Sequence, residues 1–201
     1  MDILVVTGGI GSGKSEVCRI LQEVYGCGVY NADERVKRLY DVHPTLLCDI
    51  EHLVGEPLRN EDGRFVPSRL SVRIFSDRSL LKKVEDIVFP ALTEDFRAWS
   101  ETYEEDRFVV FESATILEKP QLKGFCDKAI LVDSGIETRL ERACLRDNAP
   151  RESIYARMQN QKMMNSISEG ETEPDVDAVI HNTGTLTDLK DNVMKVINEL
   201  Y

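Results

Sequence analysis

The sequence predicts an α/β chain with a parallel sheet between helical layers. Three observations predict it. Apolar runs of strand length stand at 3–6, 28–30, 108–111, 129–132 and 178–180, with helical patterns between them. Alternation of that kind is the mark of βαβ units. A glycine-rich turn lies directly between the first run and a helical pattern, and the stretch 186–200 carries apolar residues at helical spacing.

Taken in order, Ile3 to Val6 reads as the first strand and Lys14 to Val24 as the first helix. Gly28 to Tyr30 is a short second strand. Residues 33–103 form a long, mostly helical excursion broken by one turn signal, Glu61-Asp62-Gly63-Arg64. Phe96, Trp99 and Tyr103 make an aromatic stripe expected to serve that excursion's core. The third and fourth strands, Phe108 to Phe111 and Ala129 to Val132, precede a helical, Arg-rich segment at 137–161. An acidic stretch from Glu169 to Asp177 reads as a solvated loop before the last strand, Ala178 to Ile180. In the final helix Leu189, Val193, Val196, Ile197 and Leu200 share the face that packs on the sheet.

Bulk properties bound the function. A chain of 201 residues supports one compact core with elaborations. A net charge of −11 gives no general attraction to nucleic acid, so any phosphate ligand would have to bind at local basic spots, with a divalent cation. No basic leader precedes Ile3, and the apolar runs are too short to span a bilayer. The five cysteines form no C-x-x-C pair and the three histidines are scattered, which points to reduced thiols in a cytoplasmic protein and to no zinc site.

Gly8-x-x-x-x-Gly13-Lys14-Ser15 fits the P-loop pattern in its proper context, after a strand and before a helix. Glycines let successive amides point inward without a Cβ clash, and the helix N-terminus adds a positive field. Gly9, Gly11, Ser12, Gly13, Lys14, Ser15 and Glu16 are therefore the expected contacts to ATP. Lys14 can bridge β- and γ-phosphoryl oxygens, and the Ser15 hydroxyl can ligate Mg²⁺. The glycines do not fall in a dinucleotide-binding pattern, and no N-K-x-D run for guanine recognition is present. The layout, with insertions after the second and fourth strands, is that of a small-molecule kinase with an acceptor flap and a lid.

The run from Thr7 to Ser15 resembles the P-loop of dephospho-coenzyme A kinases. Val29-Tyr30-Asn31-Ala32-Asp33 is similar to that family's Asp-Ala-Asp, and further similarities fall in order along the chain. They are Asp62-Gly63-Arg64, Arg73-Ile74-Phe75-Ser76, Leu140-Glu141-Arg142, Arg146-Asp147, Arg151-Glu152, Gln161 and His181-Asn182-Thr183-Gly184. Three places depart from the family pattern: Asn31 replaces the first Asp, Phe89-Pro90 replaces His-Pro, and Glu112-Ser113-Ala114 ends the third strand. The resemblance implies a P-loop three-layer sandwich with a parallel five-stranded sheet. Its core is expected at about 1–32, 104–136 and 162–201, with an acceptor-binding helical insertion at 33–103 and a helical lid at 137–161. It implies ATP-dependent phosphorylation of the 3′-hydroxyl of dephospho-coenzyme A with Mg²⁺. A monomer with no nucleic-acid or membrane partner is expected. Another small-molecule or nucleoside monophosphate kinase, and a non-catalytic ATP-binding regulatory protein, are the alternatives.

Individual residues carry competing readings. Asp33 follows the second strand, where a carboxylate could take the acceptor's proton. It could instead cap the next helix, although Asn31 with Glu34 would cap as well. Glu112 ends the third strand in the manner of an acid that helps hold Mg²⁺, with Asp133 as its competitor. Arg139, Arg142 and Arg146 fall on one helical face. In so acidic a chain they ask either for an anion, with Arg142 and Arg146 on the transferring phosphate, or for nearby acids. Asn182 and Gly184 follow the last strand, either against the adenine ring or as a plain turn.

Overall fold

The computed structural model describes residues 1–118, 124–168 and 170–201. Glu169, the first residue of the expected acidic loop, lies outside the described residues, as do the side chains at 75, 76, 117, 163 and 168.

Along the chain, β1 (Asp2–Thr7) leads through the glycine turn into α1 (Lys14–Tyr25) and β2 (Val29–Asn31). Four helices follow: α2 (Ala32–Val42), α3 (Leu46–Val54), α4 (Pro67–Ser76) and α5 (Arg78–Ser100). Then come β3 (Phe108–Glu112), β4 (Lys128–Asp133), α6 (Ile136–Asp147), α7 (Arg151–Gln159), α8 (Lys162–Ser168), β5 (Ala178–His181) and α9 (Leu186–Leu200). The five strands form one parallel sheet in the order β2-β3-β1-β4-β5. This is the expected α/β class. The chain divides into two compact units, 1–30 with 103–201, and 31–102.

In the first unit, strand alternation decides which side chains meet α1 and α9. Leu4, Val6, Phe108, Val110, Ile130 and Val132 turn to one face and pack against Val17, Leu21, Leu189, Val193 and Ile197. Each such side chain contributes roughly 1.5–3 kcal/mol on burial. Phe111, on the opposite face, stacks on Tyr30 with ring centroids 5.4 Å apart. The register Val6↔Glu112 in the β1–β3 pair brings the ends of these two strands level. A capping box at Thr185 and Asp188 starts α9, and Asn148, at φ 46°, ends α6 in the left-handed conformation.

In the second unit α2, α3 and α4 all pack on α5. Its core includes Leu39, Leu46, Ile50, Val84, Leu92 and Phe96. Arg35 pairs with Asp95 at 2.8 Å. The turn expected at 61–64 is present. Asn60 Oδ1 accepts from the amides of Asp62 and Arg64 at 3.1 and 2.9 Å, closing a bridge between Arg59 and Phe65. Tyr103 corrects the aromatic stripe. Helix α5 stops at Ser100, and the Tyr103 ring packs over Gly28 in the first unit, while Phe96 and Trp99 keep their contact at 5.7 Å.

Candidate functional site

The turn between β1 and α1 is a closed loop of backbone. The Ser12 amide donates to the Gly9 carbonyl, and the Glu16 and Val17 amides donate to Gly13, each at 3.1 Å. The N-terminus of α1 opens into this loop, so its helix dipole adds to the positive floor that the loop amides make. Gly11, at φ +77°, is forced. A Cβ there would lie 2.0 Å from the Arg139 carbonyl oxygen. Lys14 Nζ donates to the Gly9 carbonyl at 3.2 Å, which holds the cation across the mouth of the loop.

Ser15 Oγ donates to Glu112 Oε1 at 2.8 Å. The level strand ends produce this pair, since Glu112 closes β3 beside the end of β1, and Ser15 is on the first turn of α1. Glu112 is buried. Asp133, its competitor in the sequence, lies 3.7 Å from His181 Nδ1. Beneath the pair, burial and then the Glu112 carboxylate push the Cys18 thiol well above its ordinary range. Among the described residues no group of three or more His, Cys, Asp or Glu side chains is arranged to hold a metal. The Ser15 hydroxyl and Glu112 carboxylate are nevertheless hard oxygen donors beside the phosphate loop, a donor set that fits Mg²⁺ completed by phosphate and water.

The three arginines of α6 have different surroundings. Arg139 is buried at 1% exposure, its Nε donating to the Ile10 carbonyl at 3.1 Å. Burial depresses its ionisation and the Asp133 carboxylate opposes that. Arg142 donates through both terminal nitrogens to the Asn182 carbonyl at 3.3 Å. Arg146 is exposed and makes a two-point pair with Asp147 at 2.7 and 3.1 Å, and Asp147 also accepts from Arg157 at 2.6 Å. The single face expected from spacing thus separates into one arginine under the loop, one at a cavity and one in solvent.

That cavity has a volume of about 260 Å³. Gly13, Glu16, Arg142, Asn182 and Gly184 line it, with the apolar side chains of Leu186 and Leu189. Glu16 is turned toward Arg19, which lowers its carboxyl first by hydrogen bonding. The Asn182 amide nitrogen donates to the Ser12 carbonyl at 2.8 Å, so this side chain braces the loop from the cavity side.

Asp33 is the second residue of α2, in the second unit. It is not the cap: Asn31 is, its Oδ1 accepting from the Glu34 amide at 3.0 Å. Asn and Asp cap comparably, so the departure at this position keeps the local structure. Sequence reasoning gave Gln161 no role. It is buried, and its Oε1 accepts from the Ile10 amide at 2.8 Å. No local pattern marks it, because its partner is 151 residues away.

A phosphate loop at the end of the central strand of a parallel sheet, with a Ser–carboxylate pair on one side and a cavity of about 260 Å³ on the other, is the arrangement of a P-loop nucleotide-binding fold. The solved structure of shikimate kinase from Acinetobacter baumannii shares the fold, with a TM-score of 0.54 at 17% identity, over all of this chain and 94% of that one. The Thermus thermophilus protein TT1252 is nearer, with a TM-score of 0.81 at 28% identity, covering 100% of this chain and 98% of that one. The dephospho-CoA kinase profile matches residues 2–188. The Porphyromonas gingivalis dephospho-CoA kinase is 38% identical over 84% of this chain and 82% of its own length. The Aquifex aeolicus dephospho-CoA kinase is 28% identical over 100% and 98%. The chain belongs to the dephospho-CoA kinase family.

Proposed function

We infer that this chain transfers the γ-phosphoryl group of ATP to dephospho-coenzyme A, at the ribose 3′-hydroxyl, giving coenzyme A and ADP. The observation that carries the reading is the family match across residues 2–188, which includes the formed phosphate loop. The amides of the loop and the N-terminus of α1 bind the phosphates, and Lys14 leaves the Gly9 carbonyl to bridge the β- and γ-oxygens. Ser15 and Glu112 hold the metal side. Mg²⁺, when bound, neutralises charge on the phosphate oxygens. Arg142 and Arg146 face the transferring group, which requires Arg146 to loosen from Asp147. Asp33 accepts the proton of the acceptor hydroxyl as the new P–O bond forms. The base occupies the cavity beside Asn182 and Gly184, where Leu186 and Leu189 supply an apolar wall.

We also propose that the enzyme works as a monomer. Its place is the cytoplasm, a reading supported by five free cysteines, two of them buried. No helix among the described residues is long and apolar enough to cross a membrane. The test is ADP release measured with dephospho-coenzyme A, nucleoside monophosphates and shikimate as acceptors. Turnover with dephospho-coenzyme A alone is expected. Turnover with another acceptor only would replace the substrate, and ATP binding without acceptor-stimulated turnover would make the chain a regulatory nucleotide binder.

A further inference from the structure

Within the phosphate loop, Ile10 is held at both of its backbone polar groups. Its amide donates to Gln161 Oε1 at 2.8 Å, and its carbonyl accepts from Arg139 Nε at 3.1 Å. Both partners are buried, at 6% and 1% exposure. The Ile10 side chain packs into a small apolar cluster of Leu140, Ala143, Ile154 and Met158, supplied by α6 and α7. Three independent attachments therefore fix one residue of the loop to the α6–α7 hairpin and the residues just after it. Glycines flank this residue for a steric reason. A Cβ on Gly9 would stand 1.8 Å from an Arg139 nitrogen, and one on Gly11 would meet the Arg139 backbone.

We propose that Gln161, with Arg139, is a positioning residue that sets the phosphate loop in its nucleotide-ready form by holding the two peptides that flank the Ile10 Cα. An amide nest binds an anion well only if its N–H groups converge before the ligand arrives, and glycine-rich backbone loses much freedom on ordering. The Ile10 N–H belongs to the Gly9–Ile10 peptide and its C=O to the Ile10–Gly11 peptide, so Gln161 and Arg139 fix two consecutive peptide planes, and the following amides are aimed at the phosphates. The ends of the 137–161 segment are thereby part of the loop's foundation, and its exposed cations Arg146, Arg151 and Arg157 lie between those ends. Neither Gln161 nor Arg139 touches the transferring group in this role.

The inference rests on the nucleotide site of the preceding reading, so the parent protein's ATP and ADP affinities are measured first. A parent that binds no nucleotide overturns that reading and this inference together. Gln161→Met keeps the side chain's length and removes the acceptor. We expect ATP and ADP Kd and the KM for ATP to rise about tenfold. The acceptor KM stays within about twofold, kcat at saturating ATP falls by less than about threefold, and nucleotide-free melting drops by no more than roughly 5 °C, the loss of one buried hydrogen bond. Nucleotide affinity equal to the parent's overturns the inference. So does a parallel loss of nucleotide affinity, acceptor affinity and melting temperature. If Gln161→Met does not fold, Ile10→Ala carries the same expectation, because it removes the anchor in the apolar cluster and leaves both peptide hydrogen bonds possible. Where both variants fold, the double variant is expected to be no more than about twofold worse than the weaker single, since both release the same residue. A loss equal to the product of the two singles overturns the shared-anchor account.

Discussion

At the scale of single residues, Lys14 and Asp33 make separable predictions. Lys14 sits on the Gly9 carbonyl, 3.2 Å away, and its charge matters most when negative charge builds on the transferring group. Lys14→Ala is expected to lower kcat by a factor on the order of 10²–10³, read in the ADP-release assay. Unchanged kcat would remove the lysine from the chemistry. For Asp33 the capping alternative is already answered by Asn31, which holds the Glu34 amide. What remains to a non-catalytic Asp33 is a favourable charge in the first turn of α2, typically worth about 0.3–1 kcal/mol. Asp33→Asn should therefore leave melting and ATP affinity almost unchanged while turnover falls to a few per cent. Turnover near that of the parent would confine Asp33 to the helix dipole.

At the scale of elements, β1, α1, β3, β4 and α9 were legible because each announces itself locally. Alternating or continuous apolar runs give strands, and Leu189, Val193 and Ile197 recur at the helical period. The phosphate loop was legible for the same reason, being one contiguous motif. The attachments around it were not. Arg139, Gln161 and Asn182 act on Ile10 and Ser12 from 129, 151 and 170 residues away, and nothing in their own neighbourhoods signals it. The spacing of Arg139, Arg142 and Arg146 put them on one side of a helix, yet burial depends on what that helix lies against. Only Arg146 remained exposed, and there Asp147 captures it. Arg146, then Arg157, hold the Asp147 carboxyl down from its ordinary 3.8 to about 2. A depressed folded-state value means the Asp147 contribution is fully present above the unfolded value and lost as pH falls through about 2. The α6–α7 pairing should thus hold unchanged from pH 5 to 8. Compared with Asp147→Asn, the parent's advantage in urea midpoint is expected to be flat over that range and to shrink only below about pH 4. An advantage that changes between pH 6 and 8 would assign the titration to another group.

At the scale of the whole molecule, the chain carries a net charge of −11 and binds polyanions. The cations proposed to receive them are few and local: Lys14, the helix N-terminus, Arg142 and, once freed, Arg146. The remaining charge is spread over both units and is felt by ATP at long range as repulsion. Raising ionic strength from 0.01 to 0.15 M shortens the screening length from about 30 to about 8 Å. That suppresses the diffuse repulsion more than the attraction at the loop, which acts over a few ångströms after water is displaced. Stopped-flow association of a fluorescent ATP analogue should therefore be flat or rise by up to about threefold across this range, the opposite of the steering seen where opposite charges attract. The dissociation rate should change little, because the contacts that break are short. A tenfold fall in the association rate with salt would mean that the local cations dominate the field well beyond the loop. In that case neutralising Arg146 and Arg157 together should abolish the salt dependence.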